Sequence, residues 1–438
     1  MPEKTIQQKT IARISARILP FLLLMYILAF LDRANLGFAK NAFQADTNLS
    51  DTVFAFGAGI FFIGYSIFEI PSNLILHRVG ARRWMCRIMI SWGIVSALMM
   101  FAHNTTTFYL FRFLLGVMEA GFFPGVIYYL TYWYPSAMRA RSIGLFYFGI
   151  PLALILGGPL SGWLLELDGS AGLKGWQWMF MVEGILATLV GIWAFWYLDD
   201  QPATATWLNE DEKRSLKHIL EKEESVKNLH GPASVSKALT DGRVLYLCSL
   251  YFLIQLAFYG VVYYLPSQVA MIVQQKVGFA VGLLTTIPWM CALVAAYLVS
   301  RYSDKTGERK KTASAALLFC FIGIITFALS HMPVISMIGL CFSAAGIIAV
   351  QPVFWTLPTS YLTGTAAAGG IAFINSLGTL GGFVAPNLKT WAEIRFHSPA
   401  AGMFVLAASA LAGAMLVLVS GKLGLKGKVE TAISSQGF

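Results

Sequence analysis

HRVGARR, residues 77–83, has a distant echo in the same chain: SDKTGERKK, residues 303–311. Aligned, His77-Arg78-x-Gly80-x-Arg82-Arg83 overlays Asp304-Lys305-x-Gly307-x-Arg309-Lys310. Each copy is a short basic segment set between long apolar runs, after the second run of its half of the chain. The same loop at the same place in two halves implies an internal repeat in which each half carries six spans.

The rest of the chain agrees with that reading. Its 438 residues are 57% hydrophobic and 12% charged, with a mean hydropathy of +0.65. Soluble domains carry roughly 25% charged residues, and no water-soluble core of this length absorbs so much apolar surface. The chain is therefore an integral membrane protein. A helical span needs ~20 mostly apolar residues. Such runs fall near 18–40, 53–76, 84–102, 107–130, 141–165 and 176–198, then near 243–270, 278–301, 312–331, 333–357, 365–388 and 399–421. The expected fold class is an all-α membrane protein of about twelve transmembrane helices in two six-helix halves. The expected domains are 1–198, a cytoplasmic linker 199–242 with an amphipathic surface helix from Asn209 to Glu224, and 243–438.

A net charge of +10 could suggest nucleic acid, but the basic residues concentrate in short segments between apolar runs, which is an orientation signal. Of 32 Lys and Arg, 25 fall on one side of the predicted topology and five on the other, so both termini are expected in the cytoplasm. Cys86, Cys248, Cys291, Cys320 and Cys341 lie in or beside apolar runs with no CxxC, and read as small core residues rather than a disulfide framework or metal site. The basic start followed by an apolar run, with no small-residue cleavage site before Asp32, reads as an uncleaved first span.

Charges inside the spans are costly, about 2.5–3.5 kcal/mol each on insertion scales, and mark function or pairing. Asp32, Arg33, Glu69, Arg112, Glu119 and, near an edge, Glu183 qualify, and all lie in the first half. From Ile18 to Leu31 the first helix rises about 21 Å, which places Asp32 and Arg33 past the midplane. They are either an interfacial pair with Arg33 snorkelling or, since ANLGFA continues the apolar pattern, an internal site. In FYLFRFLLGVMEAGFFPGVIYYL (108–130), Arg112 and Glu119 are two turns apart and share a face. Two cations and two carboxylates can thus converge between the first and fourth spans, as a structural ion-pair cluster or as a proton-carrying one. A carboxylate out of water takes up a proton readily, whereas arginine stays a fixed positive fork suited to a carboxylate. Glu69, two residues before Pro71, reads as satisfying a helix break, and Glu183 as a packing residue without an assigned role.

The second half offers uncharged chemistry. YFLIQLAFYGVVYYLP places Gln255, Tyr259 and Tyr263 four apart on one helical face; AVQPVFWTLP carries Gln351 and Trp355, and GGIAFINSLGTLGGFVAP carries Asn375. Each alone suits helix packing; together they could supply amides and an aromatic wall for hydroxyl groups.

The two loop motifs, the six-plus-six layout and LDRANLGFA (31–39) resemble the major facilitator superfamily. Within it, LDRANLGFA with LLGVMEAGFFPG (114–125) looks like the anion:cation symporter branch, and YSDKTGERK, AVQPVFWTLPT and GFVAP look like bacterial carriers of sugar acids such as L-rhamnonate, then of tartrate and 4-hydroxyphenylacetate. The resemblance covers essentially the whole chain. It implies that Arg33 grips a substrate carboxylate, that Asp32 and Glu119 exchange protons, and that Arg112, a further substrate-binding residue, pairs with Asp32 when that acid carries no proton. It also implies that Trp355 and Asn375 line the opposite cavity wall beside Gln255 and Tyr259, and that Arg78, Gly80, Arg82, Asp304, Lys305, Gly307 and Arg309 form the gating loops. Two departures stand out. His77 replaces the superfamily's acid in the first loop, which would confine the acid-dependent clasp to Asp304, and Ile150 stands where some sugar-acid carriers place an amide.

The expectation is a proton-coupled importer of a small organic acid anion, a sugar acid such as L-rhamnonate, located in the inner membrane. Tartrate or an aromatic carboxylate is the alternative substrate. Export is a second alternative, since GGPLSG (157–162) faintly resembles an antiporter motif. An intramembrane enzyme would need an HExxH or a nucleophile beside a His base, and neither is present in the sequence; a nutrient sensor would call for an appended signalling domain. The expected partners are the organic anion, protons and the lipid bilayer, without nucleic acid, cofactor or metal, and the expected state is monomeric.

Overall fold

A backbone in lipid has no hydrogen-bond partner but itself, so long apolar runs are satisfied as helices. The computed structural model describes residues 2–229, 241–362 and 364–419. Among these the order is α1 (Pro2–Thr47), α2 (Asp51–Val79), α3 (Ala81–Leu98), α4 (Thr105–Glu119), α5 (Phe122–Trp133), α6 (Ser136–Tyr147), α7 (Gly149–Leu165), α8 (Gly175–Tyr197) and α9 (Glu210–Leu229), followed by α10 (Gly242–Val273), α11 (Phe279–Thr306), α12 (Arg309–Leu329), α13 (Pro333–Tyr361), α14 (Gly364–Thr379), α15 (Gly381–Phe396) and α16 (Pro399–Val419). Among the described residues twelve stretches are long and apolar enough to cross a membrane, and each falls on one of the runs read from the sequence. Three predicted spans are each two helices: the fourth is α4 and α5, the fifth α6 and α7, the eleventh α14 and α15.

The helices form two compact units. The first holds residues up to 230 together with 266–286; the second holds the remaining described residues. In the first, α1 lies against α7 and α8, α2 against α4, and α3 against α8; in the second, α12 packs on α13 and α16. Large apolar side chains such as Leu189 and Trp196 of α8, Leu298 of α11 and Val334 of α13 stay exposed. Such surface is unfavourable in water and ordinary in hydrocarbon, where close packing rather than apolar burial joins helices.

That requirement for close packing is visible between α2 and α4. A methyl group at Gly116 would lie 2.9 Å from the Phe61 carbonyl carbon and 3.0 Å from Tyr65 N, so only glycine lets the two backbones meet there. Just beyond, α4 stops. Gly121 adopts φ +87°, a left-handed conformation that costs other residues roughly 1–2 kcal/mol. Ser72 of α2 donates to the Ala120 carbonyl at 2.7 Å, satisfying a group the break would otherwise leave bare. Glu119 is thereby the last residue of its helix.

The linker helix appears as α9. Asn209 and Glu212 cap its start reciprocally (Glu212 N to Asn209 Oδ1 2.8 Å, Asn209 N to Glu212 Oε2 2.9 Å), and Arg13 of α1 reaches Glu212 at 3.1 Å. Trp207 stacks on Trp133 with ring centroids 5.6 Å apart. Residues 230–240 of the predicted linker, the tail from 420 and the side chain of His77 lie outside the described residues.

Candidate functional site

Asp32 and Arg33 are adjacent on α1, but one residue turns a helix by about 100°, so they meet different neighbours. Arg33 faces α4. Its Nε donates to Glu119 Oε1 at 2.8 Å and its Nη2 lies 2.5 Å from the same oxygen. The guanidinium is walled by the rings of Phe30, Tyr65 and Phe61 at 5.1, 5.1 and 5.4 Å, a contact that favours a planar cation. Glu119 is fully buried, and its Oε2 has no hydrogen-bond partner.

Arg112, one of the largest fully buried side chains, donates from Nε to the Gly57 carbonyl and from Nη2 to the Ala58 carbonyl, each at 3.2 Å. It makes no ion pair with Asp32. Phe61 lies against both guanidinium groups, 5.1 Å from that of Arg112. Of the four charges expected to converge between the first and fourth spans, the structure joins Arg33 and Glu119 directly and gives Asp32 and Arg112 other partners.

Asp32 turns toward α3, where Ser96 donates a hydrogen bond to its Oδ1. Asn35, one turn along α1, also donates to Oδ1 at 3.3 Å and donates to Glu183 Oε2 at 3.0 Å. Ser161 of α7 completes the set by donating to Glu183 Oε1 at 2.8 Å. Sequence reasoning left Glu183 without a role and did not single out Asn35, Ser96 or Ser161. The available signal was Asn35 itself, an amide three residues from Asp32 in an otherwise apolar run. Glu69 is buried on α2, two residues before Pro71.

The first basic loop is not without an acid. Asp200, which follows the sixth span, accepts from Arg82 N at 3.0 Å and lies 3.4 Å from Arg82 Nε. Gly80, with φ +99°, brings the loop close to that carboxylate. Asp200 thus brings a carboxylate to the first basic loop from elsewhere in the chain. In the second copy Asp304 pairs with Arg309 at 2.5 Å on the surface, Gly307 has φ +73°, and Arg78 and Lys305 are exposed.

The second unit carries an uncharged cluster. Gln255 donates to Tyr251 OH at 2.7 Å and accepts from Gln351 Nε2 at 3.4 Å. Tyr251 stacks on Phe354 at 4.8 Å and meets Trp355 edge-on at 4.9 Å. Tyr259 and Tyr263 sit 5.7 Å apart, ring to ring, and Asn375 is buried on α14. Gly378, one turn after Asn375, allows α14 to approach the Tyr251 ring.

The described residues thus form a polytopic helical protein with a buried guanidinium–carboxylate pair in one unit and an amide–aromatic cluster in the other, and its family and relatives make it a transporter of the inner membrane, not an enzyme. The chain belongs to the Major Facilitator Superfamily, whose family model matches residues 22–386. It is 48% identical over 401 residues to the inner membrane transport protein RhmT of Escherichia coli (strain K12), covering 92% of each chain. It is 42% identical to a protein of Agrobacterium vitis named for tartrate transport (94% of this chain, 95% of that one) and 37% identical to the quinolone resistance transporter of Acinetobacter baumannii (94% and 95%). Among solved structures, a D-xylose–proton symporter superposes with a TM-score of 0.70 at 17% identity, over 92% of this chain and 96% of its own. That likeness carries the fold.

Proposed function

We propose that this transporter takes up a small organic acid anion together with protons by alternating access, with both termini in the cytoplasm, and that its substrate is a sugar acid such as L-rhamnonate. The observation that carries the reading is the buried Arg33–Glu119 pair. One carboxylate oxygen meets both Nε and Nη2 of the guanidinium while the other oxygen has no hydrogen-bond partner among the described residues. Arginine stays charged, so the variable is the acid. A proton on Glu119 cancels the charge that occupies Arg33 and frees the fork for a substrate carboxylate, a bidentate match. Arg112, anchored on backbone carbonyls, contributes a fixed positive field. Gln255, Tyr259, Trp355 and Asn375 serve the substrate's hydroxyl groups and carbon skeleton. Asp32 is a second proton-exchanging group. The substrate class is supported by LDRANLGFA and LLGVMEAGFFPG and by the relatives whose names are given above.

Uptake and exchange separate the roles. In proteoliposomes with labelled L-rhamnonate, Glu119→Gln is expected to keep counterflow, which needs no net proton movement, and to lose accumulation driven by a pH gradient. Equal loss of both would make Glu119 a structural residue and overturn the reading. Export is the second reading, favoured by the relative named for quinolone resistance; vesicles with opposite pH gradients decide the direction.

A further inference from the structure

The Arg33–Glu119 pair leaves Glu183 unexplained. It lies on α8, 2% exposed, in the interior of the first unit. Both its oxygens are satisfied by neutral donors, Ser161 Oγ on one and Asn35 Nδ2 on the other, and among the described residues it forms no ion pair. The same Asn35 amide nitrogen donates to Asp32, so a single uncharged amide, 1% exposed, stands between two buried carboxylates. Two acceptors of this cluster are buried without partners: Asn35 Oδ1 and Asp32 Oδ2.

These bare acceptors fit a proton. With both acids ionised, two negative charges would share one amide and the Asn35 carbonyl oxygen would face no donor. With Glu183 protonated on Oε1, its O–H can donate to Ser161 Oγ, a hydroxyl that accepts as readily as it donates, while the Asn35 amide nitrogen keeps both of its acceptors.

The surroundings distinguish the two acids. Asp32 lies in the fields of Arg112 and Arg33, whereas the charge that reaches Glu183 is that of Asp32. Among the elements around Glu183, α1 supplies Asp32 and Arg33, the latter engaged by Glu119. On α4, Arg112 is held by carbonyls. α7 offers the Ser161 hydroxyl, with Glu166 exposed at its end, and α3 offers Ser96, which donates to Asp32. On α8 itself Gln177 and Tyr197 sit near the ends, and the mid-helix Thr188 hydroxyl is engaged by the Gly184 carbonyl.

We propose that Glu183 and Asp32, bridged by Asn35, hold one shared proton that rests on Glu183, forming a proton store distinct from Glu119. On loading, one O–H bond of the delivering water or hydronium breaks and one forms on a carboxylate oxygen, taking the pair from two negative charges to one. The link to uptake rests on the function proposed above; occupancy of the pair does not.

Infrared difference spectroscopy of the purified full-length protein, without substrate, tests occupancy. Near neutral pH the wild type should show a protonated-carboxyl C=O band, sensitive to deuterium, that is absent in Glu183→Gln and kept in Glu119→Gln. Asn35→Leu should move the band, and Asp32→Asn, which removes the neighbouring negative charge, should weaken it at a fixed pH. Wild-type and Glu183→Gln spectra that coincide, or a band indifferent to Asp32→Asn, would overturn the shared proton. In proteoliposomes with labelled L-rhamnonate, Glu183→Gln should lower the proton-to-substrate ratio by one while counterflow persists. An unchanged ratio would reduce Glu183 to a static neutral acid and overturn the store. Absence of pH-driven uptake in the wild type would sink the proposed symport and leave the infrared result standing.

Discussion

Replacing Arg33 by lysine keeps the charge and removes the fork. Arg33 presents Nε and Nη2 together to one carboxylate, at 2.8 and 2.5 Å, with three aromatic rings holding its plane. Lysine offers a point charge on a flexible stem and no planar face. A substrate carboxylate that takes Glu119's place on the fork would thus lose one charge-assisted hydrogen bond of two, worth about 1.5–3 kcal/mol, which is roughly a 10- to 150-fold rise in half-saturating concentration. The same change also loosens the competing pair with Glu119, which would offset part of the penalty while Glu119 is ionised. The full penalty is therefore expected at acid pH, or in a Glu119→Gln background where the competitor is gone. Concentration dependence of L-rhamnonate counterflow in proteoliposomes, at two pH values and in both backgrounds, measures this. A shift below threefold in the Glu119→Gln background, or a loss confined to maximal rate, would show that Arg33 does not hold the carboxylate through its fork.

Two structural predictions accompany it. Gly116→Val places branched carbon against the Phe61 carbonyl and Tyr65 N; overpacking of this kind costs about 1–3 kcal/mol. It should lower the thermal midpoint of the detergent-purified protein and disturb Arg112, whose carbonyl partners lie on α2; an unchanged midpoint would contradict the close approach. Asp200→Ala removes the acceptor for Arg82 N at the start of α3 and should cost about 0.5–2 kcal/mol as a lost cap. Nearly all of that loss should persist in high salt, because the partly exposed ion pair with Arg82 contributes little; a loss abolished by salt would assign the effect to the ion pair instead.

The twelve spans were legible because hydrocarbon thickness fixes how many apolar residues must run together, and the linker helix because its polarity interrupts that rule. The break after Glu119 was not, since it depends on a hydroxyl from α2 accepting the role of partner to a freed carbonyl. Asp32, Arg33, Arg112 and Glu119 were visible as ionisable residues in apolar runs. Their pairing was not, because a single step along a helix changes the direction of a side chain by about 100° and the azimuth of each helix is set by packing. Arg112 was expected beside Asp32, but it takes backbone carbonyls, which every residue carries and no sequence pattern marks. The acid of the first basic loop was sought within the motif. It comes from Asp200, 118 positions from Arg82, where only the folded chain brings it near. Glu183 looked like an edge residue because its run reaches the end of the first half; the amide that gives it company belongs to the first span.

A hybrid transporter cut where hydropathy drops would be cut here at residue 198 or 199. Asp200 lies just past that seam and closes onto Arg82, so a splice there would hand the first unit a carboxylate chosen by another parent. Moving the junction beyond Glu212, which Arg13 also grips, would let a grafted front half travel with both of its own acids.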